Sequence, residues 1–443
     1  AVCSPAVGAG NVVSVPQWLL SDYAGMPRIV EGKVNMGPLQ GAVETPVISY
    51  PLNNEFLSAD ITTVELSWTW KNAVPENHAT YLVEYVINGN VSVQSEALTE
   101  TVFELSGLNP LDLVSWRVAS VDNGGALIWT QKSEFRIRRG QPIYVKPDGT
   151  GDGSSWESAT GLQSALSMAL ASDEIWASAG TYKPTNDNDR IVSFRLKDKV
   201  ELYGGFAGDE TSREQRNWHL HKTILSGDIG EPDVNTDNSY RVVSAVGTAD
   251  NPITTETIFD GFIVERGYAD FNSNNHHRGG GMYLSFASPM IRNVWFRDNF
   301  ASGFGGAVYY LNSSSSVFAN VIFTNNRSNS DGGAVNVNSG VSFVNCLWYN
   351  NYSGGWGGAI RGTSSGNSIV NSILWGNQAA ISSNNISNVL TSYSIVEGGY
   401  SGIANLNVNP LIFNPQNGDF RLRTGSPAVE SGSVEALPDW LLR

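Results

Sequence analysis

The chain has 443 residues, of which 41% are hydrophobic and only 16% charged, and its formal net charge is −15. So acidic a chain argues against nucleic acid as a partner, because phosphate binding needs a basic surface. No apolar run is long enough for membrane insertion. The 46 glycines and frequent Asn and Ser favour turn-rich β structure over helices.

The beginning and the end of the chain carry the same phrase. SPAVGAGNVVSVPQWLL at 4–20 agrees with SPAVESGSVEALPDWLL at 426–442 at ten of seventeen positions. Self-similarity over so long an interval is typical of tandem arrays. We therefore interpret 1–42 as the tail of a preceding module, and expect copies or adjacent repeats of the same protein to be its partners. Chance similarity within one self-contained protein is the alternative.

Residues 43–139 change character and predict a β-sandwich. Short alternating runs recur at 64–70, 80–87, 101–105, 113–121 and 126–137. Strands at this spacing are typical of sandwiches, and Trp68 is the expected core residue. The stretch LSGLNPLDLVSWRVASVD resembles fibronectin type III domains, with Trp116 where that family usually has tyrosine. The resemblance implies a spacer or weak binder.

Residues 140–443 begin with a strand and then a helical pattern. Apolar residues recur at the helical spacing i, i+3, i+4, i+7 and i+8, namely Leu162, Ala165, Leu166, Ala169 and Leu170. Long β-rich sequence follows with no second convincing helix. The lone helix is therefore predicted to cap the exposed end of a sheet.

A short repeat with a period of about 26 residues follows. Glycine pairs begin at Gly280, Gly305, Gly332 and Gly357, at intervals of 25, 27 and 25. A second phrase begins at Asn293, Asn320, Asn345 and Asn371, at intervals of 27, 25 and 26. This period fits one coil of a right-handed parallel β-helix. The predicted fold class is all-β, with an N-terminal sandwich followed by a β-helix of eleven or twelve coils.

Stacked coils place equivalent side chains above one another, about 4.8 Å apart. One interior stack is predicted for Phe296, Phe323, Trp348 and Leu374. A ladder of amides at a turn is predicted for Asn299, Asn326, Asn351 and Asn377. Cys346 lies in an apolar strand and is expected to be a buried free thiol, and the chain's other cysteine, Cys3, gives no disulfide framework.

Several separated motifs resemble a known family. They are YVKPDGTGDGSSW, YGGFAGDETSREQRNW, TILSGDI, DGFIVERG and NPLIFNPQNGDFRLRTGSPAVESG. Together they resemble bacterial surface parallel β-helix repeat proteins of the choice-of-anchor Q type. The paired GGA[VI] and FxxN phrases resemble polymorphic outer-membrane protein repeats of adhesins. The resemblance implies a secreted, extracellular protein on the bacterial cell surface.

Two classes of function follow from these patterns. The favoured prediction is a non-catalytic adhesin or structural fibre segment that contacts glycans, surfaces or its own copies. The alternative is a polysaccharide lyase or glycoside hydrolase on the same scaffold, with extracellular polysaccharide as partner. A lyase needs a base, and the candidate arginines in the middle coils are Arg241, Arg266, Arg278, Arg292 and Arg297. An exposed aromatic ladder for glycans would use Tyr309, Tyr310, Tyr352 and Trp356.

Calcium is the candidate cofactor. The loop DVNTDN places Asp233, Asn235 and Asp237 at alternate positions, and alternate oxygen side chains can wrap a hard cation. The loop DGTGDG at 148–153 is similar. Both loops can equally be Asx turns that hold no ion. No catalytic residue is assigned from sequence.

Overall fold

The computed structural model describes residues 29–30, 33–34, 46–70, 78–122, 124–312, 315–338, 340–381 and 385–437. The chain forms two compact units, 1–140 and 141–443. The predicted tail segment 1–42 lies outside the described residues except for β1 (Ile29–Val30), which pairs antiparallel with β2 (Lys33–Val34). Its role therefore stays a prediction.

Residues 46–137 form a β-sandwich. One sheet has the order β3-β5-β8, and the other has the order β4-β11-β9-β6-β7 with β10 beside β9. The strands are β3 (Val47–Tyr50), β4 (Glu55–Leu57), β5 (Thr63–Thr69), β6 (His78–Ile87), β7 (Val93–Gln94), β8 (Val102–Ser106), β9 (Leu113–Asp122), β10 (Leu127–Trp129) and β11 (Ser133–Ile137). Trp68 and Trp116 are 1% and 0% exposed, so the predicted core position of Trp68 is confirmed. The fibronectin type III assignment stays a prediction.

The second unit winds as a parallel β-helix whose strands form four sheets. Sheet S1 contains β12 (Ile143–Val145), β13 (Glu174–Ser178), β16 (Glu201–Phe206), β19 (Ile258–Asp260), β23 (Met290–Arg292), β27 (Val317–Ala319), β31 (Ser342–Val344), β35 (Ser368–Val370) and β39 (Leu390–Ser392). Sheet S2 contains β14 (Gly180–Tyr182), β17 (Thr223–Ser226), β20 (Phe262–Glu265), β24 (Trp295–Arg297), β28 (Ile322–Thr324), β32 (Leu347–Tyr349), β36 (Ile373–Trp375) and β40 (Ile395–Val396).

The other two sheets close the coil. Sheet S3 contains β15 (Phe194–Arg195), β18 (Val243–Val246), β22 (Met282–Ser285), β26 (Val308–Tyr310), β30 (Val335–Val337), β34 (Ile360–Gly362) and β38 (Ile386–Ser387). Sheet S4 contains β21 (Tyr268–Ala269), β25 (Phe300–Ala301), β29 (Arg327–Ser328), β33 (Tyr352–Ser353) and β37 (Gln378–Ala379). The predicted parallel β-helix is therefore confirmed.

The interior follows the predicted columns. The Phe296 and Phe323 rings stack with centroids 5.3 Å apart, and Phe323 stacks on Trp348 at 5.1 Å. In the amide ladder, Asn326 Nδ2 donates to Asn351 Oδ1 at 3.0 Å, and Asn351 Nδ2 donates to Asn377 Oδ1 at 2.8 Å. Each ladder amide is thus a donor to the next coil and an acceptor from the previous one, which satisfies buried polar groups that would otherwise destabilise the fold.

One detail of the predicted repeat is wrong by a residue. Met282 pairs with Val308, so the residue equivalent to Gly305 is Gly279 rather than Gly280. Both glycines have left-handed backbone, with φ of 62°. Three consecutive glycines at 279–281 obscured this register in the sequence, because Gly281 stands where later coils carry a small inward alanine.

The N-terminal end of the β-helix matches the prediction, and the C-terminal end does not. Helix α1 (Leu162–Met168) buries Leu162, Ala165 and Leu166 in the same core as the first strands, as the cap predicts. Sheet S1 has nine strands, which corresponds to fewer coils than the eleven or twelve predicted, because the chain after 410 adds no further strand to the parallel sheets. It instead forms the antiparallel pair β41 (Ile412–Asn414) and β42 (Asp419–Leu422).

Cys346 is buried and free, as predicted, and burial raises the pKa of its thiol to about 12. Within the described parts of the chain, no helix has the length and apolar character that a membrane crossing requires.

Candidate functional site

The outer side of sheet S2 carries an apolar column. Strand register aligns Ile263, Trp295, Ile322, Leu347 and Ile373 from coil to coil. These positions alternate with the buried interior stack, because successive side chains in a strand point to opposite faces. Because a contiguous apolar surface is unfavourable in water, it is normally packed against another group, and here another segment of the same chain packs against it.

The cover is the C-terminal segment 410–433, which returns across this face. The Phe420 ring meets the Trp295 ring edge-on with centroids 5.4 Å apart. Farther along, the Ser433 N–H donates to Asn371 Oδ1, and Asn371 Nδ2 donates to the Ser433 carbonyl, both at 2.9 Å. The segment is therefore attached at both ends of the column.

Between the column and this segment lies a cleft of about 650 Å³, which we call the aromatic cleft. One wall is a row of asparagines with left-handed backbone at the turn before S2, namely Asn293, Asn320, Asn345 and Asn371. One end is formed by Trp218, His219 and Lys222. Rings, amides and a cation thus surround one apolar space.

Lys222 stands out chemically at this end of the aromatic cleft. Its Nζ donates to the Trp218 carbonyl at 3.3 Å. The residue as a whole stays exposed, but partial loss of hydration around its ammonium group, together with the positive charge of Arg297, lowers the pKa of Lys222. A lysine with a lowered pKa has more of the neutral amine that acts as a base.

The loop that carries Trp218 and Lys222 is held by a buried ion pair. Arg216 binds Asp260 at 2.9 Å, and these side chains are only 10% and 2% exposed. The Arg216 guanidinium also lies 4.9 Å from the ring centroids of both Tyr203 and Trp218. Asn293 Nδ2 donates to Asp260 Oδ1 at 2.9 Å, which connects the loop to the asparagine wall.

Arg297 lies against Trp295, one of the rings that line the aromatic cleft. Its Nε donates to Glu265 Oε2 at 2.6 Å, and its guanidinium lies 4.7 Å from the Trp295 ring centroid. A small cleft of about 200 Å³ lies here, lined by Trp295, Arg297 and Asp298 among others. It shares Trp295 and Phe420 with the aromatic cleft.

A third cleft, the polar cleft of about 640 Å³, adjoins this one through Asp298 and Asn325. It is lined by Asp233, Asn235, Arg266, Tyr268 and Arg327 among others. The three clefts therefore share walls and form a continuous surface across the middle coils.

The polar cleft contains part of the predicted calcium loop. Asp233 and Asn235 line it, but Asp237 is turned to its own loop, where Oδ2 accepts the Glu231 N–H at 2.8 Å. Arg266 forms ion pairs with Asp233 and with Asp228, the latter at 2.8 Å. In the described ranges no group of three or more His, Cys, Asp or Glu side chains is arranged to hold a metal ion. Calcium stays a prediction.

The second predicted loop, 148–153, has the Asx-turn geometry. Asp152 Oδ1 accepts the Ser154 N–H at 2.9 Å and the Ser158 hydroxyl at 3.0 Å. The Ser154 hydroxyl donates to the same oxygen at 2.7 Å. This hydrogen bond is the largest cause of a lowered pKa of Asp152, and with the other two it brings that pKa to about 2.

The aromatic residues considered from sequence are dispersed. Tyr310 is in the core, Tyr309 is 7% exposed, and Trp356 is 41% exposed. The rings that line the aromatic cleft, Trp218 and Trp295, were missed. The alternation in NVWFRDN would have identified Trp295, because it flanks the inward Phe296.

Comparisons with solved structures give matches at low similarity. A pectate lyase, Pel9A, is 17% identical over 59% of this chain and 72% of its own, with a TM-score of 0.37. A family 28 exopolygalacturonase from Yersinia enterocolitica is 11% identical over 79% and 75%, with a TM-score of 0.22. Pectate lyase Pel3 from Pectobacterium carotovorum is 10% identical over 82% and 89%, with a TM-score of 0.15. No family profile and no curated protein matches the chain.

These matches correct one prediction. The expectation that the protein is not an enzyme is wrong, since the matching solved structures are pectate lyases and an exopolygalacturonase. At such identities and TM-scores they say nothing about substrate or residues, so the chemistry has to come from the side chains of this chain. The strand register shows that the second unit is a parallel β-helix.

Proposed function

We propose that the protein cleaves an acidic polysaccharide by β-elimination in the aromatic cleft. The observation that carries the proposal is Lys222, a lysine of lowered pKa at one end of a 650 Å³ cleft lined by tryptophans. A base of this kind suits removal of the weakly acidic proton next to a uronate carboxylate.

The reaction assigns each group one task. The neutral Lys222 amine takes the proton at C5 of the uronate. The electron pair of that C–H bond forms the C4–C5 double bond, and the bond from C4 to the leaving oxygen breaks. That oxygen then takes a proton from water, and the hydroxide that remains takes up the proton from the Lys222 ammonium group. Arg297, whose charge already acts on Lys222, supplies positive charge for the uronate carboxylate.

Binding follows from the walls of the cleft. Trp218 and Trp295 offer apolar ring faces for the apolar faces of sugar rings. The asparagine wall offers amide donors and acceptors at successive coils for the hydroxyl groups, and Asn345 is exposed there. A chain of sugars parallel to the axis would meet equivalent groups at each step of about 4.8 Å.

No contact among the described residues favours the predicted adhesive role over cleavage. The extracellular location, self-association and bound calcium remain predictions from sequence. An extracellular location suits a polysaccharide substrate, and calcium in the polar cleft would add positive charge beside the aromatic cleft.

The test is formation of unsaturated product. Purified protein is incubated with polygalacturonate, alginate and a neutral glucan, and ultraviolet absorbance of the C4–C5 double bond is followed. We expect product from a uronate polymer and none from the glucan. Lys222→Met should lower the rate about 10²–10⁴-fold, as for loss of a general base.

A matched lysine provides the control. Lys199 is on the surface and pairs with Glu256 at 2.9 Å, so Lys199→Met should leave the rate unchanged. New reducing ends without unsaturation would identify a hydrolase and overturn β-elimination. Binding with no cleavage of either uronate polymer would overturn the enzymatic proposal itself.

A further inference from the structure

The outer side of sheet S3 carries a second row of side chains that the proposed reaction does not use. Strand register aligns Tyr283, Tyr309, Asn336 and Arg361 from coil to coil. Their neighbours in each strand, such as Met282 and Leu284, belong to the core. The row therefore faces away from the core and follows the axis for three steps, about 14 Å.

Arginines lie against the tyrosines of this row. The Arg241 guanidinium is 4.1 Å from the Tyr283 ring centroid, and that of Arg278 is 5.0 Å from the Tyr309 ring centroid. Arg278 Nη1 also donates to the Tyr309 hydroxyl at 2.9 Å. We call Arg241, Tyr283, Arg278, Tyr309, Asn336 and Arg361 the cationic track.

Arg241 lacks the partner that a buried charge requires. It is 8% exposed and is the one arginine among the buried described residues. Its Nη2 donates to the neutral carbonyl of Asn275 at 3.1 Å, and no carboxylate lies within ion-pair distance of it among the described residues. By contrast, the mostly buried Arg216 is paired with Asp260. A buried cation without a counter-charge is costly unless an anion binds to it.

Donors without acceptors continue along the same row. Asn336 is 2% exposed, and its Nδ2 has no hydrogen-bond acceptor in the described part of the chain. Arg361 Nε likewise has none, since Asp331 Oδ2 is 4.0 Å away, too far for a hydrogen bond. His276 and His277 add two buried Nδ1 atoms without partners beside Arg278.

We propose that the cationic track binds an anionic glycan chain through regularly spaced oxyanions, apart from the cleft where cleavage occurs. An acceptor-rich, negatively charged polymer supplies what each of these groups lacks, and a polymer is needed because the groups extend along the axis. The shared chemistry is that of a uronate carboxylate or a sulfate ester. The proposal takes its ligand class from the proposed function, but its residues and its readout are separate.

The experiment measures binding by titration calorimetry at low ionic strength. The full chain carries Lys222→Met so that no ligand is cleaved, and Trp295→Ala so that binding in the aromatic cleft is weakened. The probes are a long oligogalacturonate, a sulfated oligosaccharide of similar length and inorganic sulfate. Replacing Arg241 and Arg278 by Gln should weaken binding of an oligosaccharide at least tenfold, because charge-assisted hydrogen bonds are lost. Whichever oligosaccharide binds more tightly identifies the oxyanion.

A control removes the same charge elsewhere. Arg138→Gln combined with Lys132→Gln removes two exposed positive charges from the sandwich, and the affinity for the oligosaccharides should change less than about twofold. Since Arg241→Gln can disturb folding, Arg278→Gln alone is measured on protein whose melting temperature is unchanged, with a severalfold loss expected. Unchanged affinity in both track variants, or equal affinity for inorganic sulfate and the oligosaccharides, overturns the proposal. Failure of the lyase proposal appears instead as absence of unsaturated product.

Discussion

Sheet S2 and the turns that flank it use the same residue types on the inner and the outer side of the coil, with different roles. On the inner side, Asn326 donates to and accepts from its neighbours in the ladder, and Phe323 stacks between two rings. On the outer side, Asn320 Nδ2 donates to Asn293 Oδ1 at 3.3 Å, its one side-chain hydrogen bond among the described residues, and Ile322 is partly exposed. A repeated residue is structural where its neighbours satisfy it, and it is available for a ligand where they do not.

The aromatic stack gives the largest expected difference between the two sides. Phe323→Ala should lower the free energy of unfolding by about 3–5 kcal/mol, because it leaves a cavity in a fully buried stack. Ile322→Ala, one residue away on the outer side, should cost about 1 kcal/mol, since its side chain is only partly buried. Urea unfolding of both variants measures the difference, and equal losses would contradict the contrast.

The two asparagine columns give the next difference. Asn326→Ala should cost about 2–4 kcal/mol, because buried donors and acceptors in adjacent coils lose their partners. Asn320→Gly keeps the left-handed backbone, where φ is 56°, and should cost less than about 1 kcal/mol. Thermal unfolding compares them. A large loss for Asn320→Gly would mean that the outer column is structural too.

The pH dependence of cleavage tests whether Lys222, on the outer side of the β-helix, is the catalytic base. The pKa of Lys222 is lowered from 10.5, and the neutral amine is the active form. The rate should therefore rise with pH and level off above the lysine pKa, with a midpoint below 10.5. Below the midpoint, each pH unit should lower kcat/KM about tenfold. Removing the Arg297 charge with Arg297→Gln should move the midpoint upward, and an unmoved midpoint would exclude Lys222 as the titrating base.

The calcium loop gives the smallest expected effect. Arg266 neutralises Asp233 and Asp228, so Arg266→Gln should raise the affinity of the loop for calcium severalfold. Titration calorimetry with calcium alone, using Asp233→Asn as the control, measures this change. If neither the parent chain nor Arg266→Gln binds calcium, the prediction that this loop is a calcium site is wrong.

The interior of the β-helix could be predicted from sequence, and its exterior could not. The period identifies Phe323 and Asn326, because one buried position recurs with the same chemistry in each coil. Trp295 shares its column with isoleucine and leucine, so no repeated residue type draws attention to it. The lowered pKa of Lys222 depends on Arg297, which lies 75 positions later.

The segment after 410 was mispredicted for a related reason. Its apolar residues, such as Ile412 and Phe420, resemble those of another coil, but Phe420 packs on the outside of Trp295. The sequence shows that a residue is apolar, but it does not show whether that residue packs inside the β-helix or on the outside of a sheet. The same limit applies to Arg241, whose guanidinium donates to the carbonyl of Asn275, a residue 34 positions later.

Coils of 25 to 27 residues also make the length of this protein an adjustable quantity. Within the four sheets each coil pairs only with its two neighbours, so duplication of one coil adds one strand to each sheet, and the segment 410–433 that crosses several coils has to span one layer more. An added layer extends every face by about 4.8 Å. Duplication of the DNA that encodes one coil therefore lengthens the binding surfaces by one layer, and repeated duplication would fit the protein to longer polymers in equal steps.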